Sequence, residues 1–193
     1  MMDHYFLYLH GYQSSPTTLR ALKIQLWLRE HFPEARIDAP RLADQSAQAV
    51  FEYLSNMLDE VQSKRKVIIG ASLGGLIAHL FKQLRHDVTD VILINPALRF
   101  DEIIKNMGLI SPDEPESEVN LKDIELIRSF IPKEAHHQED YLLLLQQDDE
   151  VCPYTWSLDL LPKAHSDIQT GQGHSYSKIE TAYPSIEKFL NRK

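Results

Sequence analysis

Lys66-Val67-Ile68-Ile69-Gly70-Ala71-Ser72-Leu73-Gly74-Gly75-Leu76-Ile77-Ala78 is the stretch on which the reading of this chain turns. Its first residues are rich in β-branched side chains and suit a strand with both faces buried. The apolar run from Leu76 to about Leu84 suits a helix, and between the two lies Gly70-Ala71-Ser72-Leu73-Gly74, a G-x-S-x-G match. A short pattern of this kind recurs by chance, and the plain alternative is a glycine-rich turn whose serine only caps the helix. The context favours a nucleophile turn. Such a turn forces its serine into a strained backbone conformation, and only small flanking residues let strand and helix approach so closely.

Outward from this turn, apolar β-type runs alternate with longer amphipathic ones, the pattern of a parallel sheet covered by helices. Strands are expected at Tyr5 to Leu9, Arg36 to Ala39, Val91 to Ile94, Tyr141 to Leu145 and Asp167 to Gln169. A helix capped by Thr17 or Thr18 ends before Pro33, with Leu19, Leu22, Ile24, Leu26 and Trp27 as its apolar face. A second runs from Gln45 to about Val61, and a last one ends near Leu190. From about 100 to 140 the rhythm is lost in a proline- and acid-rich stretch, where only Leu121 to Ile131 resembles a helix. The expectation is one domain over 1–193, with an irregular insert or small cap there.

A serine hydroxyl needs a base, and the base needs a third group to fix its tautomer. Of nine histidines, His31 and His86 fall at helix ends, His79 lies inside the helix after Ser72, and His136 and His137 lie in the polar insert. His174 follows Gly171-Gln172-Gly173 after the last strand, on a turn able to hold an imidazole over the sheet edge. The strand end LLLLQQDDE supplies Asp148 and Asp149. Ser72, Asp149 and His174 then stand in the chain order of α/β-hydrolases. Stabilising the charge that develops on a carbonyl oxygen takes backbone N–H donors. The expected ones are Leu73, which follows the nucleophile, and Tyr12, in the loop after the first strand. His10 in that loop reads as a structural residue bonded to its own turn.

The segments YLHGYQSSP, IGASLGGLIA, LINPAL, LLLQQDDEV and GQGHSYSKIE, in this order and across nearly the whole chain, resemble the short YqiA/YcfP-like esterases of the α/β-hydrolase superfamily. The resemblance implies a compact α/β-hydrolase, a three-layer sandwich with a mostly parallel sheet. It implies Ser72 as nucleophile, His174 as base and Asp149 as its orienter, acting on short-chain esters, with thioesters or acyl transfer as the alternative chemistry and a non-catalytic binding protein as the alternative class. The family carries a Gly-Asp-Glu-Val-type segment where this chain has Asp148-Asp149-Glu150-Val151. Two adjacent carboxylates therefore compete, and Asp148 stays open beside Asp149.

Composition narrows the partners. With 28 Asp and Glu against 20 Lys and Arg the formal charge is −8, which disfavours nucleic acid, anionic membranes and strongly anionic substrates. The phosphate-loop and dinucleotide fingerprints are missing, and adjacent carboxylates without an H-x-x-x-H pair make a poor metal set, so neither cofactor nor metal is expected. Cys152, the lone cysteine, reads as a small buried thiol, and its solitude fits a reducing, cytoplasmic setting. No basic and apolar leader and no membrane-length apolar run is visible, so a soluble, unprocessed chain is expected. At 193 residues there is little room for a large lid, which points to a small, open site for small soluble esters or thioesters.

Overall fold

A computed structural model describes residues 4–42, 45–106 and 121–192. Six strands, β1 (His4–Leu9), β2 (Arg36–Asp38), β3 (Arg65–Ala71), β4 (Asp90–Ile94), β5 (Tyr141–Gln146) and β6 (His165–Gln169), form one sheet in the order β2-β1-β3-β4-β5-β6. Every neighbouring pair is parallel. The helices are α1 (Leu19–His31), α2 (Ala47–Glu60), α3 (Leu73–Leu84), α4 (Phe100–Asn106), α5 (Leu121–Phe130), α6 (Tyr154–Leu160) and α7 (Tyr183–Leu190).

The strands show why the sheet is covered on both sides. Successive side chains alternate between faces, so Tyr5, Leu7 and Leu9 join Ile68, Leu93 and Leu143 under α2 and α3. Phe6 and Tyr8 join Val67, Ile69, Ile92 and Leu144 under α1 and α7. Apolar residues at both parities leave water no face to wet, and three layers result.

One expected face is corrected. The inward residues of α1 are Ala21, Ile24, Gln25, Trp27 and Leu28, whereas Leu19, Leu22 and Leu26 remain 68%, 47% and 57% exposed. This helix carries two apolar stripes of the same helical spacing, and periodicity alone cannot rank them. Packing does, since the Trp27 ring stacks on Tyr183 and meets Phe32, while Ala21 keeps the helix close to the sheet. The insert holds α4 and α5. Of the stretch from about 100 to 140 where an insert or small cap was expected, 107–120 lies outside the described residues. Among the described residues no helix is long and apolar enough to cross a membrane.

The topology also dictates where a site can form. From β1 the chain moves out to β2 and then returns across β1 to β3, so the loops leaving β1 and β3 diverge at a crevice beyond their carboxyl ends. Leu9 pairs with Gly70 there, which sets the residues following each strand side by side. α3 closes the crevice floor tightly, because a Cβ on Gly74 would lie 2.2 Å from the Leu9 carbonyl oxygen. That contact is backbone and cannot be relieved by a rotamer change. Gly74→Ala is expected to cost about 3 kcal/mol or more, read as a lowered urea midpoint; an unchanged midpoint would contradict the packing.

Candidate active site

Ser72 sits between the end of β3 and the start of α3 with φ 52° and ψ −119°, a conformation that L residues with a Cβ avoid. The surroundings hold it there. Its N–H donates to the Ile94 carbonyl at 3.0 Å, and its own carbonyl accepts from Gly75 and Ala97 at 2.9 and 3.0 Å. The hydroxyl makes no cap bond to α3, so the helix-capping alternative does not describe this serine. It turns instead toward His174, whose Nε2 lies 3.1 Å from Oγ.

On its other side the His174 ring meets Asp149, with Nδ1 2.9 Å from Oδ2 and 3.0 Å from Oδ1. The Asp149 side chain is fully buried, and its Oδ1 also accepts the N–H groups of Val151 and Cys152, both at 2.8 Å. A carboxylate so placed accepts the Nδ1 proton and leaves Nε2 with its lone pair directed at the serine. Asp148 takes no part in this row. Its exposed side chain accepts from the N–H groups of Gly171 at 2.9 Å and Gly173 at 3.1 Å, gripping the turn before His174. Desolvation raises its pKa, and the backbone N–H groups of Gly171, Asp148, Gly173 and Gln172 together outweigh it, so the net direction is downward. The two adjacent carboxylates thus divide between the ring and the turn, the chain having left β5 at Gln146 and turned through Gln147 and Asp148.

Three further residues hold the His174 turn, and sequence reading assigned none of them a role. Buried Asn95, at φ 42° beyond β4, donates from Nδ2 to the carbonyls of Gly173 and His174 at 3.1 and 3.2 Å, while its Oδ1 accepts the Gln146 N–H at 2.9 Å. Glu150 accepts the His174 N–H at 3.2 Å, and Arg20 of α1 donates to the Ser175 carbonyl at 2.7 Å. Asn95 left a trace in the sequence, an asparagine at a strand end inside LINPAL, since asparagine tolerates left-handed backbone. Arg20 left none, because its partner is remote in sequence.

The loop after β1 runs against the serine. A Cβ on Gly11 would stand 3.1 Å from the Ser72 Cβ and 3.6 Å from its Oγ, so glycine is what lets the backbone pass. His10 fixes this loop. The Leu42 N–H donates to its Nε2 at 3.0 Å, which leaves the proton on Nδ1 to be donated to the Gly11 carbonyl at 2.9 Å. Across a trans peptide the Tyr12 N–H points opposite to that carbonyl. Leu73 is the first residue of α3, whose leading N–H groups have no acceptor within the helix. The structure thus brings together Ser72, His174 and Asp149, with Gly11 of the β1 loop against the serine.

The histidines of α1 and α3 bond elsewhere. His79 is buried against the Tyr141 hydroxyl at 3.0 Å, and burial pushes its pKa down to about 4, so it packs as a neutral ring. His31 bonds the Trp27 carbonyl at the end of α1. Burial, with Asp149 and Glu150 close by, pushes the Cys152 thiol up to about 12.

Known structures share this architecture. Est1E from Butyrivibrio proteoclasticus superposes with a TM-score of 0.72 at 15% identity, covering 97% of this chain and 87% of that one. Mouse alpha/beta hydrolase domain-containing protein 10 gives 0.67 at 16% identity, over 97% and 89%. The Pyrococcus furiosus esterase Pf2001 gives 0.62 at 16%, over 98% and 82%. The fold is that of the α/β-hydrolases, and its structural neighbours are hydrolases and esterases. The family described as "Uncharacterised protein family (UPF0227)" matches residues 5–191, nearly all of the chain and every segment of the row described above, and the protein therefore belongs to that family, the YqiA/YcfP group that its motifs resemble.

Proposed function

We propose that the protein is a serine hydrolase that cleaves short-chain carboxylic esters through a covalent acyl-enzyme. The observation that carries this reading is the unbroken row Ser72 Oγ, His174 Nε2, His174 Nδ1 and Asp149, with contacts of 3.1 and 2.9 Å, at the sheet's carboxyl edge. Ser72 Oγ attacks the ester carbonyl while its proton passes to Nε2. The imidazolium is stabilised by buried Asp149, and the negative oxygen is received by the Tyr12 and Leu73 N–H groups. Collapse breaks the carbonyl–alkoxy bond, and Nε2 returns the proton to the departing alcohol. Water then repeats the sequence, giving its proton to Nε2, releasing the acid and restoring the serine. Every proton has a place on the chain's own groups.

Named esterases among the structural neighbours support the ester assignment, although likeness at their identities speaks to fold. The test is hydrolysis of p-nitrophenyl acetate and butyrate beside acetyl and butyryl thioesters, together with labelling by a fluorophosphonate. Turnover of the oxygen esters and a stoichiometric adduct on Ser72 are expected. An adduct with thioesters strongly preferred would move the substrate class, and neither adduct nor turnover would leave a binding protein built on the hydrolase fold.

A further inference from the structure

The Asp149–His174 pair has a neighbour that ester hydrolysis leaves unused, the Cys152 thiol. One donor atom from each of Asp149, Cys152 and His174 lies within 4.8 Å of the other two. The centre of such a triangle is at most about 2.8 Å from each corner, and zinc bonds oxygen, nitrogen and sulfur at about 2.0 to 2.3 Å, so small side-chain rotations close the shell. We infer that Asp149, Cys152 and His174 form a binding site for zinc or a similarly thiophilic divalent cation, and that the bound ion switches the hydrolase off. The switch rests on His174 being the general base; the site itself does not.

Three features favour an ion of this class. The donors are a carboxylate, an imidazole and a thiol, a set that suits zinc and its soft neighbours better than the oxygen-seeking calcium or magnesium. Their geometry is preset, because the Cys152 N–H is bound to Asp149 Oδ1 at 2.8 Å, which ties the cysteine backbone to the carboxylate it would share the ion with. Charge also balances. Thiolate and carboxylate together cancel the two positive charges of the ion, and Asp149 and Cys152 are both buried, where an uncompensated charge would be costly. Sequence reading weighed Asp148, Asp149 and Glu150 with nearby histidines and expected no metal, whereas the fold sets the Cys152 thiol beside Asp149 and His174.

The inhibitory step follows from the tautomer. In the resting row the proton sits on Nδ1, facing Asp149, and Nε2 is free to accept from Ser72. An ion on Nδ1 displaces that proton to Nε2, and the Cys152 thiol releases its own to solvent as the sulfur–metal bond forms. The ring stays neutral and one proton is released overall. Nε2 now carries hydrogen and cannot take the serine's proton, so an occupied molecule is inactive until the ion leaves.

Cobalt and zinc titrations of the full chain test both parts. A thiolate–Co2+ bond gives an intense near-ultraviolet charge-transfer band, and because Cys152 is the sole cysteine, that band reports this site whatever other histidines bind. One equivalent of band is expected in the wild type and none in Cys152→Ser or Cys152→Ala. Zinc should inhibit p-nitrophenyl butyrate hydrolysis reversibly, with EDTA restoring it, and either substitution should raise the half-inhibiting zinc concentration by about tenfold or more. Absence of the band, or equal zinc sensitivity with and without the thiol, overturns the inference. A band in a chain that hydrolyses neither esters nor thioesters would keep the metal site and overturn the switch along with the hydrolase reading.

Discussion

Ser72→Ala is expected to lower the turnover of p-nitrophenyl butyrate by about four to six orders of magnitude, while the protein stays folded with nearly the wild-type thermal midpoint. The two halves of this expectation have separate grounds. Activity collapses because, among the described residues, Ser72 Oγ is the one hydroxyl bonded to His174 Nε2, at 3.1 Å, and residual hydrolysis must rely on water in the same crevice. Stability survives because the hydroxyl caps nothing. The N–H and carbonyl bonds that hold the strained turn come from the Ser72 backbone, which alanine keeps, and alanine at φ 52° carries a strain close to that of serine. His174→Ala should cost about as much, and the double variant little more than either single one, since the row acts as a unit. Retention of more than about one per cent of activity in Ser72→Ala would remove the serine from the mechanism.

How much of this was legible in the chain depends on how local each feature is. The strands at Tyr5, Lys66, Val91 and Tyr141 stand out because parallel strands buried on both faces carry near-continuous apolar runs, and such runs survive most tertiary contexts. The order Ser72, Asp149, His174 was readable for a related reason, as each residue follows directly on a strand or on the turn beyond one. Helices were harder. α1 shows leucines on the face that the fold leaves to solvent, and the decision rests on Trp27, Phe32 and Tyr183, which come together only in three dimensions. α4 and α6, each seven residues long, are too short for periodicity to separate from a loop. Asn95, Arg20 and Glu150 shape the His174 turn by bonding backbone groups far along the chain, and a backbone carbonyl or N–H leaves no signature in a sequence.

That same division explains why a doubled carboxylate could not be resolved by reading alone. Asp148 and Asp149 are chemically identical and adjacent, and only the direction each faces assigns them work. One, fully buried, faces the imidazole, and the other, exposed, faces the N–H groups of the glycine turn. The arrangement makes the turn and the ring two ends of one acidic segment, with Glu150 holding the His174 N–H between them. Placement of the base is therefore set by backbone contacts, and its tautomer by a single buried side chain.

Asp149→Asn is accordingly expected to lower kcat by about four orders of magnitude, against less than about tenfold for Asp148→Asn. The reason for the larger loss lies in which way the new amide must turn. The N–H groups of Val151 and Cys152 both point at Oδ1 from 2.8 Å, so the amide oxygen of asparagine stays there and its NH2 takes the place of Oδ2, 2.9 Å from His174 Nδ1. Two donors cannot face each other. The ring then keeps its lone pair on Nδ1 and its proton on Nε2, the wrong tautomer for accepting from Ser72, and no charge remains to stabilise an imidazolium. Asp148→Asn keeps one oxygen for either Gly171 or Gly173 and gives up the other bond, which loosens the turn without touching the ring. Steady-state kinetics on p-nitrophenyl butyrate separates the two, and nitrogen-15 shifts of the His174 ring report the tautomer directly, with the hydrogen moving to Nε2 only in Asp149→Asn. Equal kinetic losses, or the larger loss at Asp148, would mean that the turn and not the buried carboxylate governs the base.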